Sequence, residues 1–133
     1  MRNYEDLEVW QRAHALTIRV YRITNDFPRS EMFGLTSQIR RASNSIGANL
    51  AEGCGRWSDA ELARHVQIAM GSASELQHHL RLARDLGFLR PTDHATALDD
   101  LTSVRQMLTA FLKRLKGVRN TEKSKPMSLG NVE

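Results

Sequence analysis

Leu35 to Gly55 reads LTSQIRRASNSIGANLAEGCG, and its two faces decide the fold. Leu35, Ile39, Ala42, Ile46 and Leu50 follow one another at steps of three and four, which lines them up as the seam of a bundle helix. The opposite face should be solvated and charged. Instead it carries Ser37, Asn44, Gly47, Ala48, Ala51 and Gly55, flanked by Arg40 and Arg41. Gly47, Ala51 and Gly55 are spaced four apart, and Ser43 extends the row. Small residues at that spacing let a second backbone come close. A glycine within a helix costs about 1 kcal/mol relative to alanine, so Gly47 needs a reason, and packing against another subunit is one. Ser43, Gly47, Ala48, Ala51 and Gly55 are therefore the expected oligomer surface, with Gly53 as the helix stop.

Working outward, the preceding segment starts after Asn3, an expected cap with Glu5 and Asp6 in the first turn. Its seam is Val9, Ala13, Leu16, Val20, Ile23 and Phe27, and Pro28 ends it. The central helix is expected to begin near Ser30-Glu31. The following segment opens on a capping box, Ser58 with Glu61, and its seam runs Leu62, Val66, Ala69, Ala73, Leu76, Leu80, Ala83, with Gly87 as stop. A second stripe on that helix, His65, Ile68, Ser72, Glu75, His79, Leu82 and Leu86, is too apolar at Ile68, Leu82 and Leu86 to be fully wetted, so these three join the expected interface. The last helix, with Thr92 as expected cap, has Leu98, Leu101, Val104, Leu108, Phe111 and Leu115 as its seam and Gly117 as its close. Residues 118–133 are polar and aperiodic and read as a disordered tail. No strand pattern or internal repeat competes. Short connections favour antiparallel neighbours, so the expectation is all-α: an up-down-up-down four-helix bundle over residues 1–117.

Composition agrees. The chain has 133 residues, 41% hydrophobic and 6% aromatic, enough for one domain with a core. One cysteine, Cys54, staples nothing and suits a reducing compartment. The N-terminal residues carry no apolar signal core and no apolar run spans a bilayer, so the chain is read as cytoplasmic with no membrane partner. A net charge of +4 with pI about 9.7 permits an acidic partner such as RNA or DNA.

Enzymatic chemistry finds little support. Glu75-Leu76-Gln77-His78 has the Glu-x-x-His spacing of bundle di-iron sites, but there is one copy and it points away from the seam. Cys54 next to Arg56 lacks an identifiable base. No metal, cofactor or catalytic residue is expected. Asn49 sits at the seam edge with Gln38, Ser45 and Glu52 on its flank, where Ser72 and Glu75 of the next helix can meet it. These six form a candidate polar network fixing register or subunit contact. Arg40, Arg41 and Arg56 are the candidate anion-binding group, with Arg19, Arg22 and Arg29 as additions.

The chain also resembles a known family. The carrying residues are Leu7-Glu8-Val9-Trp10-Gln11-Arg12-Ala13-His14; Phe27-Pro28-Arg29-Ser30-Glu31 with Gly34-Leu35; Gln38-Ile39-Arg40-Arg41-Ala42; Ser45-Ile46; Asn49-Leu50-Ala51-Glu52-Gly53; and Ala69-Met70-Gly71-Ser72 with Glu75-Leu76. They are similar to the bacterial four-helix-bundle proteins related to those encoded in intervening sequences of 23S ribosomal RNA genes. Gly47 departs from a position often proline, and Cys54 from one often aromatic. The resemblance implies an antiparallel bundle assembling as a ring-like homopentamer, and no catalytic residues. It also implies a likeness in fold to the basic pentameric accessory protein of diversity-generating retroelements, which engages nucleic acid. The functional expectation is a homo-oligomer that binds nucleic acid, the alternative a protein-interaction scaffold.

Overall fold

The chain enters its first helix more slowly than its sequence suggests. The structure, a computed structural model, describes residues 2–124. Asn3 does cap, its side-chain oxygen accepting from Glu5 N at 3.1 Å, but the turn it opens is a 3-10 turn, Tyr4–Asp6. Leu7 is extended, and helix α1 covers Glu8–Ile23. It stops short of Phe27. The Thr24 hydroxyl bonds back to the Val20 carbonyl at 2.7 Å, and Phe27 N closes a turn on Thr24 O. Phe27 thus leaves the helix yet stays buried, its ring 6.0 Å from that of Phe88.

Helix α2 covers Leu35–Cys54. A 3-10 turn, Arg29–Glu31, stands where its start was expected. From that turn the Glu31 carboxylate reaches forward and accepts from Leu35 N at 3.0 Å, satisfying a donor that the helix leaves open. Gly53 does not stop α2; it lies inside the helix and is buried, and Gly55 caps it in right-handed geometry. Among the described residues the left-handed glycine is Gly87, φ 84°. It ends helix α3, Asp59–Asp85, where Gly87 N and Phe88 N reach back to Arg84 O and Ala83 O at 3.0 and 2.9 Å. At the other end of α3 the Ser58 hydroxyl accepts from Glu61 N at 3.1 Å, as its sequence predicts. Helix α4 covers Pro91–Ser124. Proline suits a first helical position because the missing N–H has no partner there, so Thr92 falls inside the first turn instead of capping it. Gly117 does not close α4, which continues to Ser124. The rest of the expected tail, 125–133, lies outside the described residues.

Side-chain pairs set the directions. Thr17 meets Ser43 and Tyr21 meets Arg40; Ser45 meets Ser72 and Asn49 meets His65; Arg12 meets Ser103 and Arg19 meets Asp100. Each series runs up one helix as it runs down the other. Helix α1 packs on α2 and α4, and α3 packs on the same two, with no diagonal packing among the described residues. The architecture is the all-α, up-down-up-down four-helix bundle expected.

The seams close on one core. Every expected seam residue of α2 and α3 is buried. In α1 Ile23 is only half-buried, because the helix ends there. In α4 the half-buried Leu98 yields to Ala97, and His94 adds a polar residue to the buried row. Burial, with Arg84 and Arg81 nearby, pushes the His94 imidazole below its usual 6.5, while Asp85 opposes. The unfolded chain therefore takes up the proton first as pH falls. Stability present above about 6.5 should drain away as pH drops toward the lower folded value. Urea titrations across that range should show this loss in the wild type and a smaller one in His94→Gln; equal slopes would remove His94 from the account.

Candidate functional site

The contact between α2 and α3 is polar at its outer edge. Ser45 and Ser72 share a hydrogen bond at 2.8 Å. Asn49 donates to the Ser45 carbonyl at 2.9 Å and to its hydroxyl at 3.0 Å, and its Oδ1 lies 3.2 Å from His65 Nδ1. Since the Asn49 amide nitrogen is spent on Ser45, its oxygen must accept, which makes His65 Nδ1 the protonated nitrogen. The network is therefore Ser72, Ser45, Asn49 and His65. Gln38, Glu52 and Glu75 are exposed and stand outside it. Glu52 pairs with Arg56 at 2.7 Å and Glu75 with His79 at 3.1 Å. His65 was set on the second stripe of α3 by its sequence; its pairing with Asn49 follows only from the register between two helices.

The small-residue row of α2 divides. Ser43 is 0% exposed, held by Thr17 of the same chain at 2.9 Å, so it offers nothing to another subunit. At Gly47 an added Cβ would lie 3.4 Å from Trp10 Nε1, an ordinary contact, so the bundle itself does not demand glycine there. The Trp10 indole stacks on His14 at 4.8 Å and meets Tyr4 edge-on at 5.0 Å. Together these rings wall a groove of about 210 Å³ whose far side is Asn44, Gly47, Ala48 and Ala51. Ala48 and Gly55 are exposed, Ala51 partly so. What the row builds is a shallow uncharged trough between α1 and α2, with Ile18 and Tyr21 exposed on α1.

The second apolar surface lies on α3. Ile68, Leu82 and Leu86 are all exposed on the single chain. The α2–α3 register, with 45 opposite 72 and 49 opposite 65, brings the Met32-Phe33 loop to the same end of the bundle as Leu86. Phe33 is 95% exposed. These two were missed because they precede the helix, where no periodicity marks them.

The three arginines do not converge. Arg40 turns onto the end of α1: its Nε donates to the Thr24 hydroxyl at 2.9 Å, a terminal nitrogen to the Tyr21 carbonyl at 3.3 Å, and its guanidinium sits 4.6 Å from the Tyr21 ring. It serves carbonyls at a helix C-terminus, where a cation is favourable. Arg56 is tied to Glu52, some 16 positions further along, about 24 Å of helix. Arg41 alone of the three is exposed with no ion-pair partner among the described residues. Of the additional arginines, Arg19 binds Asp100 at 2.7 Å.

Cys54 is the last residue of α2, not part of the turn, and is buried. Burial raises its thiol pKa despite the opposing charge of Arg2, so it is a weak nucleophile. His78 and His79 meet edge-on at 5.4 Å on the α3 surface. Among the described residues no cluster of His, Cys, Asp or Glu is placed to hold a metal ion, and no helix is long and apolar enough to cross a membrane.

The fold has a solved counterpart. A crystal structure of a protein of unknown function from the S23 ribosomal protein family of Bacteroides thetaiotaomicron is 23% identical, superposes with a TM-score of 0.74, and covers 79% of this chain and 95% of its own. No curated protein matches. The family model for the 23S rRNA-intervening sequence protein matches residues 5–110. That span runs from the entry turn through most of α4, and it takes in the Ser45–Asn49–His65–Ser72 network and both apolar surfaces. The chain belongs to the 23S rRNA-intervening sequence protein family.

Proposed function

We propose that this protein is a non-enzymatic homo-oligomer, ring-like and pentameric, that presents a repeated basic surface to nucleic acid. One observation carries the assembly: the two unpartnered apolar surfaces lie on different faces of the bundle. The trough sits between α1 and α2, and the Ile68–Leu86 stripe lies on α3, diagonal to α1. A two-fold dimer uses one patch twice. Two different patches that complement each other make a head-to-tail contact, which closes into a ring when the rotation allows. Leu82 and Leu86, one turn apart and exposed, are the apolar side chains we propose to enter a trough floored by Gly47, Ala48 and Ala51. The number five rests on the family resemblance. The family model's reference to 23S rRNA and the net charge of +4 favour nucleic acid as the ligand.

Light scattering should give five times the chain mass of 15.1 kDa, and Leu82→Asp with Leu86→Asp should return folded monomer. A monomeric wild type overturns the ring. A labelled RNA duplex should bind with an affinity that falls steeply between about 50 and about 200 mM salt; absence of binding at the lower salt overturns the nucleic-acid half. Trp57, 86% exposed in the α2–α3 turn, favours a protein-interaction scaffold as the second reading, since exposed tryptophans anchor protein contacts.

A further inference from the structure

One groove belongs to neither apolar surface. It lies between α3 and α4, measures about 490 Å³, and is lined by Gln77 of α3 and by Thr102, Arg105, Gln106, Thr109 and Lys113 of α4. Thr102, Arg105, Thr109 and Lys113 recur at steps of three and four, with Gln106 and Ala110 beside them, so the α4 residues form one stripe along the helix. Their chemistry is uniform in one respect: no carboxylate lines the groove. The surrounding sequence explains why. From Leu101 to Gly117 the chain carries Arg105, Lys113, Arg114 and Lys116 and no Asp or Glu.

Charge elsewhere on the bundle is largely cancelled. Residues 1–100 hold twelve Arg and no Lys against thirteen Asp and Glu; Arg2, Arg12, Arg19, Arg56, Arg81 and Arg90 each meet a carboxylate, while Arg22, Arg29, Arg40, Arg41 and Arg64 form no ion pair among the described residues. Arg105 meets an amide instead, hydrogen-bonding the Gln77 side-chain oxygen. That contact ties the guanidinium to α3 across the groove and leaves its charge intact. Lys113 has no ion-pair partner among the described residues. The excess of positive charge therefore falls on the Leu101–Gly117 stretch of α4, and Arg105 and Lys113 bring part of it to the groove.

We infer that the α3–α4 groove grips the phosphodiester backbone of a nucleic acid; this rests on the nucleic-acid reading above and places its contact surface. Arg105 and Lys113 stand eight residues apart, about 12 Å along the helix. One strand of a duplex presents a phosphate about every 3.4 Å of its axis, so with α4 laid along that axis the two cations stand three to four phosphates apart. Thr102, Thr109, Gln77 and Gln106 supply the neutral donors that phosphate and sugar oxygens accept. No aromatic ring lines the groove, so bases have nothing to stack on, and recognition is of backbone and not of sequence. The groove also lies apart from both apolar surfaces, so a ring built through them leaves it open and repeats it once per subunit.

The test is fluorescence anisotropy with labelled DNA and RNA duplexes of equal sequence, titrated across salt. The pair Arg105→Ala with Lys113→Ala is expected to weaken binding about tenfold or more and, on DNA, to reduce the log–log salt slope by about 1.8 per engaged subunit. Thr109→Glu, which keeps both cations and adds a negative charge at the groove, should weaken binding as well. Arg12→Ala with Arg90→Ala removes the same charge from ion-paired positions and should leave affinity within about twofold. Circular dichroism confirms folding of each. Equal loss from both pairs, or a groove pair that binds like wild type while Arg41→Ala does not, overturns the groove and leaves nucleic-acid binding standing. A wild type that binds neither duplex overturns both.

Discussion

Gly53→Val is expected to destabilise the bundle by about 3 kcal/mol or more, the largest effect of any single substitution considered. Gly53 is buried where α2 comes close to α3. A Cβ there would stand 2.8 Å from His65 Cβ and 2.9 Å from Leu62 Cδ1. His65 Cβ is fixed to its backbone and cannot swing aside, so the helices themselves must part. Parting them also pulls His65 from Asn49, 3.2 Å away. Alanine tests the same contact more gently. It gains about 1 kcal/mol in helix propensity but still imposes the Cβ, so Gly53→Ala should emerge less stable than wild type. Gly71, also helical and with nothing within 4 Å of an added Cβ, supplies the contrast: Gly71→Ala should stabilise by up to about 1 kcal/mol. Urea unfolding of the three variants decides. If Gly53→Ala matches Gly71→Ala, the close approach is not real.

The contrast between these two glycines shows what a sequence exposes and what it hides. The seams of α2 and α3 were legible because burial follows a period that any window of the chain displays. Gly53 was misread as a helix stop because glycine serves two ends, left-handed turns and close approach, and only the neighbour across the interface tells them apart. Gly87, where the turn does occur, was read correctly. The ends of α1 and α2 were misplaced for a related reason. Glu31 caps α2 from a 3-10 turn before it, and such a reach across a turn has no fixed spacing signature.

The candidate sites follow the same division. Ser45, Asn49 and Ser72 were identifiable as polar residues at a seam edge, where an amide has to find partners. Their fourth member, His65, depends on a register between helices. Arg40 was grouped with Arg41 by adjacency, yet residues one apart on a helix point some 100° away from each other. That rotation sends Arg40 to the end of α1 and leaves Arg41 outside. The α3–α4 groove is hard to see in the sequence because its signal is an absence, the run without carboxylates from Leu101 to Gly117, spread over a helix whose seam is the stronger pattern.

Asn49→Leu is expected to cost about 2 kcal/mol and to lower the melting temperature by several degrees. Leucine matches asparagine closely in size, so packing loses little; what is lost is three polar contacts. His65 Nδ1–H then faces a hydrocarbon, and Ser45 keeps only Ser72. Part-buried groups left without partners account for the expected cost. If polarity and not shape is the cause, removing both partners should be gentler than the sum of removing each. The double variant Asn49→Leu with His65→Leu should therefore be more stable than additivity predicts, by about 1 kcal/mol. The network also bears on assembly, since it lies beside Ile68 on the outer flank of α3. A variant that only loosens the α2–α3 register should weaken the oligomer in proportion to its loss of stability. Unchanged melting and an unchanged oligomer in Asn49→Leu would mean that the four residues merely occupy the seam edge without fixing it.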